Sequence, residues 1–168
     1  MMFWLLRQLI AIALLPFTVA VLIPLWLARR NAIIPAVGSS LGQIGLQSAG
    51  LVLLSIGLLL FGASLRGFVT EGRGTLAPWD PPRELVTHGP YRYVRNPMIS
   101  GVVLVLLGEA LVLLSPPHLQ WAVIFLASNA VYIPLIEEPL LAQRFGAAYR
   151  NYCRHVPRLL PRLHPWKG

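Results

Sequence analysis

Residues 44–65 run for 22 positions without a charged side chain, and residues 9–28 for 20. Crossing about 30 Å of hydrocarbon takes roughly 20 helical residues. A backbone withdrawn from water must close its hydrogen bonds internally, which leaves helices or closed barrels. The two runs therefore predict an all-α, polytopic integral membrane protein. Two further stretches fit the same reading: 98–115, apolar except for Glu109, and 119–136, with Asn129 and Pro134 inside it. Only Pro116, Pro117 and His118 separate these two, so they are expected to form a tight antiparallel hairpin. The expectation is one membrane domain over 1–168, with about four spans at 9–28, 44–65, 98–115 and 119–136. A cytoplasmic loop then covers 66–97 and a cytoplasmic tail 137–168.

The first run contains Pro16 and Pro24, which membrane helices tolerate. It is too long for the core of a signal peptide and lacks a small-residue cleavage site, so it reads as a retained anchor. The second contains Gly50, Gly57 and Gly62, small enough to permit close helix contact.

Charge separates from this apolar framework. The chain has 14 Lys and Arg against 6 Asp and Glu, a net charge of +8, with 12% of residues charged. Soluble domains carry roughly 25%. Arg66, Arg73, Arg83, Arg92 and Arg95 lie in 66–97, and Arg144, Arg150, Arg154, Arg158, Arg162 and Lys167 in the tail. By the positive-inside rule both segments, and with four spans the N-terminus carrying Arg7, face the cytoplasm. Arg29 and Arg30 fall on the opposite side. The cations flank spans instead of forming one dense patch, which points to lipid headgroups and against nucleic acid. A single cysteine, Cys153, excludes an internal disulfide and a cysteine-based zinc site. His118, His155 and His164 show no metal-ligand spacing with an acid, so no metal is expected.

Two segments hold the chemistry. The loop carries Pro78, Pro81, Pro82, Pro90 and Pro97, and proline can order a long loop without regular structure. Loops of this length are commonly functional. Pro97 falls in the first turn of the third span, where it is tolerated. After the fourth span, Glu137 and Glu138 stand side by side at the membrane boundary. They either pair with loop arginines such as Arg92 or Arg95 or serve a ligand. On a regular wheel Leu141, Phe145, Ala148 and Tyr152 share one face, with Arg150 and Arg154 opposite. That predicts a C-terminal amphipathic interfacial helix.

These motifs, from His88-Gly-Pro-Tyr-Arg-Tyr-Val-Arg-Asn-Pro-Met98 through the hairpin to Glu137-Glu138, Phe145-Gly146, Tyr149, Tyr152 and Val156-Pro-Arg158, resemble the membrane methyltransferases. Those are the isoprenylcysteine carboxyl methyltransferase family and the related phospholipid methyltransferases. The resemblance covers roughly residues 70–162. It implies S-adenosylmethionine binding by the C-terminal half, with Tyr91, Arg95, Asn96, Pro97, Gly101, Glu137 and Glu138 on the cofactor-pocket motifs. His88 is a further candidate contact, weighed against a turn-stabilising role. Family members commonly have histidine between the arginine and the proline, and tyrosine three residues on; here these are Asn96 and Ile99. Asparagine hydrogen-bonds but cannot titrate near neutral pH. Catalytic roles stay open among Arg95, Asn96, Glu138 and Arg158.

The physical demands agree with the resemblance. A cofactor carboxylate favours the arginine fork, and its ammonium and ribose hydroxyls favour a glutamate. A lipophilic acceptor, an isoprenylcysteine-like carboxylate, a phospholipid amine or another small apolar group, arrives from the bilayer. Gly72-Arg-Gly74 follows no expected strand, so it does not match a soluble nucleotide-binding fingerprint. Two alternatives remain: a nicotinamide-dependent membrane reductase related to sterol reductases, and a non-catalytic membrane scaffold. Glu109 is expected to be structural, hydrogen-bonded to Asn129. Trp4, Trp26, Trp121 and Trp166 are expected to be interface anchors, and Trp79 to anchor or help close the loop. Oligomeric state is open.

Overall fold

A computed structural model describes residues 13–35, 37–71 and 84–167, and every regular element among them is helical. A π-helix, Ala13–Leu22, runs into α1, Ile23–Arg30. Then come α2, Leu41–Glu71; a 3-10 turn, Gly89–Arg92; α3, Pro97–Val112; α4, Pro116–Tyr132; a second π-helix, Ile133–Glu137; and α5, Glu138–His155. Trp4 and Arg7, and the loop residues Gly72, Arg73, Gly74, Pro78, Trp79, Pro81, Pro82 and Arg83, lie outside the described residues.

Two helical stretches, Leu41–Glu71 and Pro116–His155, are long and apolar enough to cross a membrane, and α3 is apolar but shorter. Only 11% of each long apolar window is buried inside the protein. Leu59 is 74% exposed and Leu135 69%. Apolar faces left open on this scale need an apolar solvent.

The helix predicted for 44–65 runs instead from Leu41 to Glu71, so the loop expected from residue 66 starts later. Hydropathy reports where a chain leaves hydrocarbon, and nothing between Leu65 and Glu71 stops a helix. The expected turn also shifts. α3 ends at Val112, and Leu113, Leu114 and Ser115 make the reversal. Pro116, Pro117 and His118 are the first turn of α4, where a missing proline N–H costs nothing.

α2 and α3 pack with their backbones in contact. A Cβ on Gly57 would stand 2.7 Å from the Gly101 carbonyl oxygen, and one on Gly108 2.7 Å from the Gly50 carbonyl oxygen. Gly50, Gly57 and the buried Ser64 recur every seven residues on α2, facing Gly101 and Gly108 at the same spacing on α3. Gly62 is no part of this seam: open space surrounds it.

The first helix is fastened to α4 through two of its carbonyls, one of them freed by a proline. The next rung of the π-helix would need an N–H at residue 24, which is proline, so the Val19 carbonyl is left open. The Trp121 indole donates to it at 3.0 Å. Trp121 is thus a helix-to-helix tie as well as a residue near a span end. The buried His118 donates from Nε2 to the Pro24 carbonyl at 3.1 Å, which leaves Nδ1 to accept from the Ser115 hydroxyl at 2.7 Å.

One apolar cluster, Val102, Leu106 and Ala122, joins α3 to α4. The second, Tyr149, Tyr152 and Val156, sits on α5 with Leu85, Phe145 and Trp166 around it. Trp166, expected at the interface, stacks on His155 and packs on Tyr152, with ring centroids 5.9 and 5.5 Å away. Gly146, at φ +56°, breaks α5 in two. Register shifts across that break, so Tyr149 is buried and Ala148 exposed, against the regular wheel.

Candidate functional site

Three prolines set the site. Pro97 starts α3 as its first residue and fixes where Arg95 and Asn96 leave the loop. Pro134 lies in the π-turn that ends α4, and the Glu138 N–H bonds five residues back to Ile133. That turn adds one residue to the helical circuit and decides how the two glutamates are presented. Pro157 follows α5, and its carbonyl accepts from the Arg95 N–H at 2.8 Å.

The tail then lies across the loop. The Asn96 N–H donates to the Arg158 carbonyl at 3.3 Å, the Arg162 N–H to Tyr93 at 3.0 Å and the Trp166 N–H to Arg92 at 3.0 Å. Asn96 Nδ2 also reaches the Arg158 carbonyl, at 3.3 Å. The Ser100 hydroxyl lies 3.1 Å from the carbonyls of Asn96 and of Leu159.

At the centre, Glu138 is gripped from two sides. Arg158 donates from Nε to Oε1 at 2.7 Å and from Nη2 to Oε2 at 2.8 Å, a bidentate fork. Arg95 Nη1 lies 3.0 Å from Glu138 Oε1 and donates to Cys153 Sγ at 2.8 Å. The Arg95 side chain is 11% exposed, Glu138 17% and Arg158 38%. Hydrogen bonding to Glu138 pushes the Arg158 guanidinium above its ordinary range. Arg95 Nε is buried with no partner among the described residues. Such an orphan donor on a cation is costly unless an acceptor arrives.

The other predicted residues spread around this cluster. Glu137 is half-buried beside Glu138, with no hydrogen bond of its own among the described residues. Tyr91 is buried, and its carbonyl accepts from the Tyr152 hydroxyl at 2.6 Å. Burial holds the Tyr91 phenol well above its usual range. Gly101 faces α2 as a packing glycine. His88 does not join the cluster: its Nδ1 lies 3.0 Å from Glu71 Oε2 at the end of α2, with most of the ring exposed. Arg92 points elsewhere too, donating from Nε to the Trp166 carbonyl at 2.6 Å. The pairing expected between glutamates and loop arginines therefore falls to Arg95, and Arg158 joins it from the tail. The expected Glu109–Asn129 bond is not made: Asn129 donates to Phe125 in its own helix, and Glu109 Oε2 has no partner among the described residues. Sequence reasoning gave Cys153 and Ser100 no part here; neither lies in a motif that marks it.

Against known proteins, the profile of the phospholipid methyltransferase family matches residues 46–148. No curated protein and no solved structure matches the chain. The match runs from α2 into α5, takes in Arg95, Asn96, Glu137 and Glu138, and covers more than half the residues. The chain belongs to the phospholipid methyltransferase family.

Proposed function

We propose that the chain transfers a methyl group from S-adenosylmethionine to a lipophilic, membrane-embedded acceptor, at a site centred on Arg95, Glu137 and Glu138. The observation that carries this reading is the buried Nε of Arg95, which has no partner among the described residues although the same guanidinium is held on Glu138, the sequence neighbour of the half-buried Glu137. Donor and acceptor together suit an amino-acid zwitterion. Arg95 would hold the carboxylate, and Glu137 the ammonium or the ribose hydroxyls. Glu138, already gripped by two guanidiniums, positions Arg95 and Arg158 and does not take the cofactor itself.

S-adenosylmethionine supplies an electrophilic methyl on a sulfonium. Bound there, it would supply a methyl for an acceptor lone pair, with the electron pair of the broken carbon–sulfur bond left on sulfur. The protein's share is alignment and exclusion of water. Asn96 cannot take a proton near neutral pH, so the reading favours an acceptor that attacks through a free lone pair. An ionised carboxylate meets that condition as it stands, whereas a phospholipid amine, the acceptor the family suggests, is an ammonium near neutral pH and would first release a proton to water.

The proposal includes four crossings, made by 13–30, α2, α3 and α4 with its π-turn, and cytoplasmic termini. The 16 residues of α3 rise about 24 Å, and the backbone-close seam with α2 holds them upright. The site then sits at the boundary, open to cytoplasm and bilayer.

The test is titration of S-adenosylmethionine into detergent-purified protein, followed by labelled methyl donor with a membrane lipid extract. Wild type is expected to bind and to move label into the organic phase. Arg95→Ala is expected to bind at least about 10-fold more weakly. No binding by wild type, or binding of a nicotinamide cofactor instead, overturns the reading.

A further inference from the structure

Arg29 and Arg30 end α1 where the topology calls for no cations. The first 70 residues contain no Asp or Glu, and no carboxylate among the described residues pairs with either guanidinium. Both are exposed. The negative end of the α1 dipole favours a cation, but it leaves the outward face of two guanidiniums unmatched.

Beside them lies an apolar groove of about 320 Å³. Ile23, Trp26 and Leu27 of α1 form one wall, and Pro117, Trp121 and Ile124 of α4 the other, with Gln120 as the one polar side chain in the lining. The Trp121 N–H is spent on the Val19 carbonyl, so that indole brings only hydrocarbon to the groove. Cation and groove are joined physically: the Arg30 guanidinium lies 5.1 Å over the Trp26 ring, and Trp26 lines the wall. Beyond the helix, Ile34, Val37 and Leu41 are each more than 80% exposed, so the connecting segment suits a membrane interface, not water.

We propose that α1 and α4 hold one anionic phospholipid here, an acyl chain in the groove and the headgroup phosphate on Arg29 and Arg30. The charge argues for this occupant: the Arg30 guanidinium on the groove's Trp26 wall, with exposed Arg29 next to it in sequence, calls for an anion that carries its own hydrocarbon. A second copy of this chain is a poor fit. Two-fold pairing over this face would bring its own Arg29 and Arg30 up to the first pair. The site is distinct from the Glu138 cluster, which lies 14 to 21 residues further along the helical rod from Pro117–Ile124, roughly 20–30 Å away. It rests on the membrane reading but not on methyl transfer.

The experiment compares dioleoyl phosphatidylglycerol with dioleoyl phosphatidylcholine on purified full-length protein, by native mass spectrometry and thermal melting. One phosphatidylglycerol is expected to be retained and to raise Tm by several degrees, with phosphatidylcholine doing neither. Arg29→Gln with Arg30→Gln, both on exposed side chains, is expected to weaken retention about 30-fold. Ile124→Trp, which fills the groove, should abolish retention while the arginines remain. Glycerol phosphate and inorganic phosphate, which lack chains, should leave Tm unchanged. Equal retention of both lipids, an equal shift with inorganic phosphate, or unchanged retention in either variant overturns the proposal, as does a dimer cross-linked through the groove. S-adenosylmethionine affinity, measured on the same samples, tells failure here from failure of the methyltransferase reading.

Discussion

Glu138 pairs with Arg95 and Arg158 at once, and the two arginines do not depend on it equally. Arg95 is 11% exposed, so losing its counter-charge strands a cation away from water, whereas Arg158 at 38% can turn toward solvent. Removing one partner of a buried pair costs about 3–5 kcal/mol, and exposed pairs are worth about 0–1 kcal/mol. Glu138→Gln is therefore expected to destabilise by about 3 kcal/mol and Arg158→Gln by less than about 1 kcal/mol. Denaturant unfolding in mixed micelles checks both. Equal losses would mean that Arg95 is not sealed as the geometry shows. The sequence marked Glu137-Glu138 as a pair needing partners or a ligand, because carboxylates at the end of an apolar helix are costly when left alone. Which of the two is occupied was not marked, since that depends on the π-turn at Pro134 and on a tail arginine 20 residues on.

Among elements, the α2–α3 seam carries the sharpest prediction. A Cβ on Gly108 would meet backbone atoms of Gly50 and Leu54 at 2.7 Å, and one on Gly62 would meet nothing. Gly108→Ala must push two helices apart and is expected to cost about 1–3 kcal/mol. Gly62→Ala should be neutral or gain up to about 1 kcal/mol from helix propensity. Melting temperatures of the two variants decide it, and a Gly108→Ala protein as stable as wild type would refute the seam. The sequence marked α2 as glycine-rich and able to pack closely. It did not say which glycines, because 3.6-residue periodicity has no direction until a partner helix appears. The same holds for α5, where Gly146 in the left-handed region rotates one half against the other and replaces Ala148 with Tyr149 in the core.

For the whole molecule, the four-crossing arrangement proposed above puts α1's last turn and the tail on opposite faces of the membrane. In a Cys153→Ser background, Asn31→Cys is expected to react with a membrane-impermeant maleimide on intact cells. Lys167→Cys should react only after permeabilisation. Labelling of both without permeabilisation would overturn the orientation. The architecture also explains why the tail matters. Its part beyond residue 148 lies outside the 46–148 family match, yet it supplies Arg158, the Pro157 carbonyl under Arg95 and Trp166.

Uncharged runs at 9–28 and 44–65 determined by themselves that this chain is helical and belongs in an apolar solvent. The reason is local: backbone polar groups and side-chain hydrophobicity act at every residue, whatever the rest of the chain does. The ordered motifs from His88 to Arg158 likewise marked the family and the loop-and-glutamate region. Only the tertiary structure decided that Arg95 and Arg158 share Glu138, that His88 leaves the cluster for Glu71, and that Gly101 packs on α2. Those outcomes depend on proline-set registers and on contacts between residues far apart in sequence, such as Arg92 with Trp166, 74 positions on, which no local pattern encodes.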